Sequence, residues 1–540
     1  MALSRVGKVA ILLGIVLVVL IVALALTVLM LPPLSQEKAR ERLVAALSER
    51  FDAKVELKEL RLQVVPTIRV EGRGLTIRHH GRTDVPPLVT VPHFSAEASL
   101  AAFLHRHVSR VQIEGLDIQI PPDRNSGANG AKADNDAGDE APQTSLARSV
   151  IVDDLYSMGG RLTIIPSEEG KEPKVWEIHD LHMKSVASDH AMPFEATLTN
   201  AVPPGEIATR GSFGPWRQDE PGDTPLDGVF TFDKANLGVF NGISGMLTAH
   251  GQFGGKLERI DVHGETDTPQ FRIVKTGGHP VPMHTTYHAI VDGTNGKTIL
   301  DEVNARILNT TILAKGGVIG KPHVNGRTVS LDVTIDNGRL EDIMRMVVKT
   351  PRAPMIGGLR LKTNFVLPPG DADVVKKLRL DGNFSLTGAR FTNDDVQKKI
   401  VELSRRGSGR VGDKTAELEP AKVTSKFEGR FKLGDGALDI PKVTFDVPGA
   451  TVQLGGAYAL VPETIDFKGT LFMDVKVSDT MTGIKHLLLK VVDPLFKRDG
   501  GGSAIPIKIT GTRDDPSFGL DTRRVFSRKR SSPSAGTVAN

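Results

Sequence analysis

The chain has 540 residues, 39% of them apolar and 24% charged, a composition that fits roughly two to four folded domains. Its net charge is only +4 and its aromatic content 5%, which excludes a broad nucleic-acid surface built on basic charge and stacked bases. Cys 0 excludes a disulfide framework and thiol catalysis, and it suits an oxidising compartment.

The chain opens on an uncharged apolar run, residues 9–31, from Val9 through Leu20 to Leu31. A helix of that length rises about 34 Å, enough to cross a hydrocarbon core of about 30 Å. The run is longer than a secretory signal's apolar region and ends in Met30-Leu31-Pro32-Pro33 without a small-residue cleavage pattern, so an uncleaved anchor is expected. Arg5 and Lys8 precede it, whereas Lys38, Arg40, Arg42 and Arg50 follow, so a Lys/Arg count favours an inverted orientation. The lack of cysteine points the other way, and the expected arrangement is N-terminus inside with the bulk outside the cytoplasm.

Residues 34–51 read as an amphipathic helix, capped by Ser35 and carrying Leu43, Ala46, Leu47 and Phe51 at helical spacing. Such a helix either packs on the next sheet or lies at a membrane surface. From Val55 the period changes to two: Val55 and Leu57, then Leu60, Leu62 and Val64, Ile68 and Val70, Leu75 and Ile77. This predicts antiparallel sheet with one apolar and one wet face. Residues 94–108 read as a strand running into a short helical turn, and 111–120 as further strand. Residues 123–149 carry almost no large apolar side chains and are expected to be a disordered linker.

Beyond 149 the alternation returns repeatedly, with turn signals at Asp292-Gly293, Asn337-Gly338, Asp381-Gly382 and Asp435-Gly436. Helical spacing interrupts it at 339–349, 394–405 and 481–492. The alternating apolar set near the end is Val443, Phe445 and Val447, then Leu471, Met473, Val475 and Val477, then Ile505, Ile507 and Ile509. The tail 523–540 is basic, then Ser/Gly-rich, and is expected to be a disordered end.

Motifs that carry chemistry fail on context. Gly407, Gly409 and Gly412 spell a dinucleotide fingerprint but follow a helix rather than a strand. Gly293 to Thr298 resembles a phosphate loop with two residues missing between its glycines, and reads as a hairpin turn. Asp134, Asp136 and Asp139 fall in the linker. His79 and His80 are adjacent, and His105 and His107 lack metal partners. The chain is therefore not expected to be an enzyme or to hold a metal or cofactor.

Two stretches resemble a known family. The first is LSQEKARERLVAALSERFDAKVELKELRLQVVPTIRVEGRGLTI with VPHFSAEASLAAFLHRHVSRVQIEGLDIQIPP; the second is MIGGLRLKTNFVLPPGDADVVKKLRLDGNFSLTGARFTNDDVQKKIVELSRRGSG with SDTMTGIKHLLLKVVDPLFKRDGGGSAIPIKITGTRDDPSFGLD. They are similar to the N-terminal and C-terminal regions of AsmA-like proteins, with Asp52-Ala53 where a glycine turn is usual. The resemblance implies an N-terminal anchor (1–33, its first residues cytoplasmic), an α+β module (34–122), the linker (123–149), a β-rich region (150–522) and the tail. It also implies inner-membrane attachment with the bulk in the periplasm, phospholipids as partners, and a part in phospholipid transport and outer-membrane biogenesis. The implied fold is mainly β, an extended curved antiparallel sheet resembling the chorein-type bridge proteins. The alternating set from Val443 to Ile509 then supplies candidate groove residues, although the same side chains equally fill a closed β core. A non-enzymatic factor that contacts outer-membrane assembly proteins is the alternative function.

Overall fold

The apolar stripe of the first helix decides how the fold begins. α1 (Gln36–Phe51) carries Ala39, Leu43 and Leu47 one turn apart, each at most 1% exposed, so the stripe faces protein rather than a bilayer. It lies on β1 (Ala53–Gln63), where Arg40 Nη1 donates to the Leu57 carbonyl at 3.0 Å.

The computed structural model describes residues 36–51, 53–63, 67–79, 86–105, 107–120, 151–165, 173–187, 189–217, 220–274, 276–320, 326–370, 372–409, 423–476, 501–512 and 515–521. The apolar run 9–31, the linker 123–149, the expected helix 481–492 and the tail 523–540 lie outside them. Among the described residues no helix is long and apolar enough to cross a membrane. These residues fall into two compact units, one holding those up to 239 with 246–267 and 286–299, the other 240–245, 268–285 and those from 300 on.

In the first unit, β1, β2 (Ile68–His79) and β3 (Val89–Ala98) are antiparallel neighbours. After α2 (Leu100–Leu104), β3 also pairs with β4 (His107–Glu114) and β5 (Asp117–Ile120). β4 and β5 then run parallel to β6 (Ile151–Ile164), with Val111 opposite Leu155 and Ile118 opposite Leu162. This corrects the expectation of antiparallel pairing throughout. Parallel neighbours need a long return connection, and residues 121–150 supply the chain for it.

The sheet continues antiparallel through β7 (Lys174–Val186), β8 (Met192–Ala201), β9 (Pro204–Phe213) and β10 (Pro225–Asn236). The short β11 (Ile243–Ser244) belongs to the second unit. β12 (Met246–Lys256) pairs with β10 and with β13 (Arg259–Ile273). The α1 stripe, Val55, Leu75, Val91, Val111 and Leu155 form one filled core, each large side chain contributing about 1.5–3 kcal/mol by leaving water. Gly72 faces Phe94 across β2 and β3, and a Cβ there would stand 2.1 Å from the ring's Cζ. Only glycine lets that ring lie flat on the sheet.

β14 (Val281–Val291) and β15 (Thr298–Ile307) have residues in each unit. Their connection is the suspected phosphate loop, and it is a hairpin turn. Asp292 Oδ1 accepts from the Thr294 amide at 2.9 Å, the Thr294 hydroxyl at 2.6 Å and the Asn295 amide at 3.3 Å, and Asn295 Nδ2 donates to Oδ2. Burial alone would raise the carboxyl pKa, but these donors outweigh it and hold it below the usual carboxylate range. The ionised form therefore stabilises the turn. That contribution is fully present above the ordinary carboxylate pKa of about 4 and is lost as pH falls through the lower folded value. Asp292→Ala is expected to weaken the turn by about 1–3 kcal/mol at pH 7. Amide hydrogen exchange at Val291 and Thr298 measures it, and the gap from the parent should close in acid.

The second unit continues through β16 (Thr310–Gly320), β17 (Arg327–Arg339), β18 (Met355–Leu367) and β19 (Arg379–Phe391). β20 (Ser425–Gly434), β21 (Ala437–Val447), β22 (Ala450–Ala459), β23 (Thr464–Met473), β24 (Ser503–Thr512) and β25 (Pro516–Leu520) extend the same antiparallel ladder. α3 (Leu340–Val347) joins β17 to β18, α4 (Val374–Lys377) precedes β19, and α5 (Asp394–Gly407) follows it. The expected helices at 339–349 and 394–405 thus form; α4 was not expected. At Asp435-Gly436 the turn signal marks the β20–β21 hairpin, both residues having positive φ. Asn337-Gly338 instead sits at a bulge within β17, and Asp381-Gly382 lies inside β19. Adjacency to strand-compatible neighbours overrides the turn preference there.

Candidate functional site: one-sided apolar sheet faces

Antiparallel register decides which side chains share a face across strands. In the second unit it aligns apolar residues into rows. At the hairpin end of the strands, Leu331, Phe365, Leu380, Leu433, Leu438, Tyr458 and Ile465 stand directly opposite one another across β17 to β23. A parallel row nearer the other end runs Leu359, Leu386, Phe427, Phe445, Val452, Leu471 and Ile505. Between them lies Ile335, Leu361, Phe384, Gly429, Val443, Leu454, Gly469 and Ile507.

The two ends of this face have different fates. The connections from β17 to β18 and from β19 to β20 leave from one end, and they carry α3 and α5. Ile400 and Leu403 of α5 pack on Phe445, Val447, Val452 and Met473. Leu340 and Ile343 of α3 pack on Ile335, Leu359 and Leu386. Polar ties hold both helices down. Gln397 of α5 accepts from the Phe391 amide and donates to the Val423 carbonyl, both at 3.0 Å. Ser404 Oγ donates to the Pro448 carbonyl at 2.8 Å. Asp342 of α3, 4% exposed, accepts from the Thr310 hydroxyl at 2.9 Å and the Asn309 amide at 3.0 Å. In the helix-end row Leu359, Leu386, Phe445 and Val452 are 6–8% exposed, and the half-buried Phe427, Leu471 and Ile505 pack against the cores beneath the helices. The hairpin-end row is half-buried throughout, and none of its members belongs to a packed core cluster among the described residues.

The first unit carries a smaller version. Leu198, Ile207, Phe232 and Ala249 stand opposite one another across β8, β9, β10 and β12, and the first three are half-buried.

The candidate groove residues from the sequence divide between these environments. Val443, Phe445, Val447 and Met473 are buried, and the half-buried Leu471, Ile505 and Ile507 pack against the core beneath α5. Ile509 lies opposite Phe467 toward the hairpin end. β23 ends at Met473, so Val475 lies beyond the strand, where its carbonyl accepts from Ser503 Oγ at 2.7 Å. Val477 lies outside the described residues, as do the anchor positions Val9, Leu20 and Leu31. The open row itself was not singled out from the sequence. Its members are visible there as alternating apolar residues, but neither the register that aligns them nor the helices that cover only one end can be read from alternation.

The set-aside motifs have structural roles. Gly407 and Gly409 close α5, Gly409 with φ +73° and its amide donating to the Arg406 carbonyl at 3.1 Å; Gly412 lies outside the described residues. His105 ends the turn after α2, whereas His107 starts β4 with Nδ1 2.8 Å from Asp153 Oδ1, so the two do not share a strand. Among the described residues no cluster of His, Asp and Glu is placed to hold a metal ion. Comparison with protein-family models, with curated proteins and with solved structures finds no match for this chain, so its functional reading rests on these faces.

Proposed function

We propose that this chain is a membrane-anchored periplasmic protein that binds phospholipid acyl chains on the open apolar row of its second unit, as part of phospholipid transport and outer-membrane biogenesis. The observation that carries the reading is the row from Leu331 to Ile465: seven directly opposed, half-buried side chains outside the packed core clusters, on a face whose other end packs beneath helices. Seven strands at about 4.8 Å span roughly 29 Å, longer than an acyl chain occupying half of a hydrocarbon core of about 30 Å. Each CH₂ moved from water onto such a surface gains about 0.8 kcal/mol. Apart from Tyr458 the row ends in hydrocarbon, which suits contact with acyl chains without selecting a headgroup. The apolar run 9–31 supplies the anchor in this reading, and the resemblance to AsmA-like proteins supplies the compartment and pathway.

The test is photocrosslinking from Leu380 in intact cells, followed by mass spectrometry of the adduct. A phospholipid adduct at Leu380, absent from a control probe on the opposite face at Asp466, is the expected result. Capture of protein alone would reject lipid binding and select a scaffold for envelope assembly.

A further inference from the structure

The opposite, polar face of the second unit holds an unusual concentration of positive charge. Lys362, Asn383, Arg430 and Lys442 stand directly opposite one another on β18, β19, β20 and β21. The next positions along the strands, on the same face, are Arg360, Ser385, Glu428 and Thr444, also directly opposed. Together they line a concavity of about 880 Å³. Two irregularities border it: the β17 bulge that carries Asp336 and Asn337, and the register shift after Arg430. Bulges of this kind bend a strand and re-aim its side chains.

The charge in this hollow is not balanced from within. Four cations meet two carboxylates, Asp336 and Glu428, and Glu428 already holds Lys426 at 2.6 Å. Elsewhere on the same face Lys432 is matched with Asp381 at 3.2 Å and Lys468 with Asp466 at 3.8 Å. Arg360, Lys362, Arg430 and Lys442 are all exposed, and none of them is in an ion pair with another described residue. Arg430 and Lys442 also face each other across β20 and β21, a like-charge pairing that destabilises a sheet and that a bound anion would relieve.

We infer that this hollow is a binding site for a multiply charged phosphate group, of which pyrophosphate is the smallest representative. The two guanidinium groups offer paired donors that match phosphate oxygens, and the two ammonium groups add point charge. Asn383, Ser385 and Thr444 form a floor of neutral donors between the cations. Lys362 and Arg430 are two strands apart, about 10 Å, so an anion with several charged oxygens reaches both sides where a single small ion does not. No aromatic residue stands beside the cations on this face, so the site lacks the stacking platform a nucleobase would use. The sheet separates it from the acyl-binding row, and the two readings stand or fall separately.

The test uses the full chain in nanodiscs of phosphatidylcholine, titrated with pyrophosphate by calorimetry. Saturable binding is expected, weakened at least tenfold in the Arg360→Gln/Arg430→Gln double variant. Circular dichroism should be unchanged because both side chains are exposed. Lys362→Gln/Lys442→Gln is the second variant should the first not fold. Absence of saturable binding, or equal affinity in a folded variant, overturns the site; equal binding of citrate overturns the phosphate assignment. Competition by phosphatidylglycerol vesicles, but not by phosphatidylcholine vesicles, would identify a lipid headgroup as the source, and lack of competition a soluble phosphate ester. Leu433→Asp should leave pyrophosphate binding intact.

Discussion

Leu433→Asp is expected to lower phospholipid binding at least tenfold while leaving the second unit folded. Leu433 is half-buried at the hairpin end of β20, between Leu380 and Leu438. A carboxylate there keeps its water, so folding loses only the lateral packing of one leucine. It also places a charge in the middle of the apolar row, where an acyl chain could cover it only by stripping that water. Val452→Asp provides the contrast. Val452 is 7% exposed in the core that α5 closes, and an unpaired charge there costs several kcal/mol. Loss of folding is expected for Val452→Asp and loss of lipid for Leu433→Asp, read by thermal denaturation and by mass spectrometry of lipid retained by the purified chain. If Leu433→Asp unfolds the second unit as Val452→Asp does, the row is closed core and the lipid reading fails.

The second large effect is expected in the first unit. Leu43→Ala should destabilise the module of α1 and β1 to β6 by about 2–5 kcal/mol. Leu43 has 0% exposure and is surrounded by a core of strand side chains, so the missing atoms leave a cavity rather than a gap that water fills. Urea denaturation followed by limited proteolysis between α1 and β1 measures the loss. A membrane-surface helix would respond differently: truncating one leucine there would shift membrane partition and leave the module's urea midpoint unchanged.

Local sequence signals determined a large part of this architecture. Period-two alternation identified Val443 to Val447, Leu471 and Met473, and Ile505 to Ile509 as strand residues with one apolar side. Helical spacing located α1, α3 and α5, because side chains one turn apart must share a face whatever they pack against. The Asp435-Gly436 turn was legible because both of its residues take up positive φ. Asp381-Gly382 carries the same letters but lies within β19, with Gly382 opposite Thr363 and Phe431. A dipeptide preference of about a kilocalorie yields to two ladders of backbone hydrogen bonds.

The sequence by itself determined which residues alternate and where α1, α3 and α5 fall. Only the tertiary structure decided that β4 and β5 run parallel to β6, that Leu331 through Ile465 align into one row, and that Arg360, Lys362, Arg430 and Lys442 gather in one hollow. The physical reason is range. Alternation and helical spacing arise from the geometry of consecutive residues, whereas register joins residues far apart in the chain. One strand's sequence cannot say which neighbour it meets, nor that α3 and α5 fold over one end of the face and leave the other open.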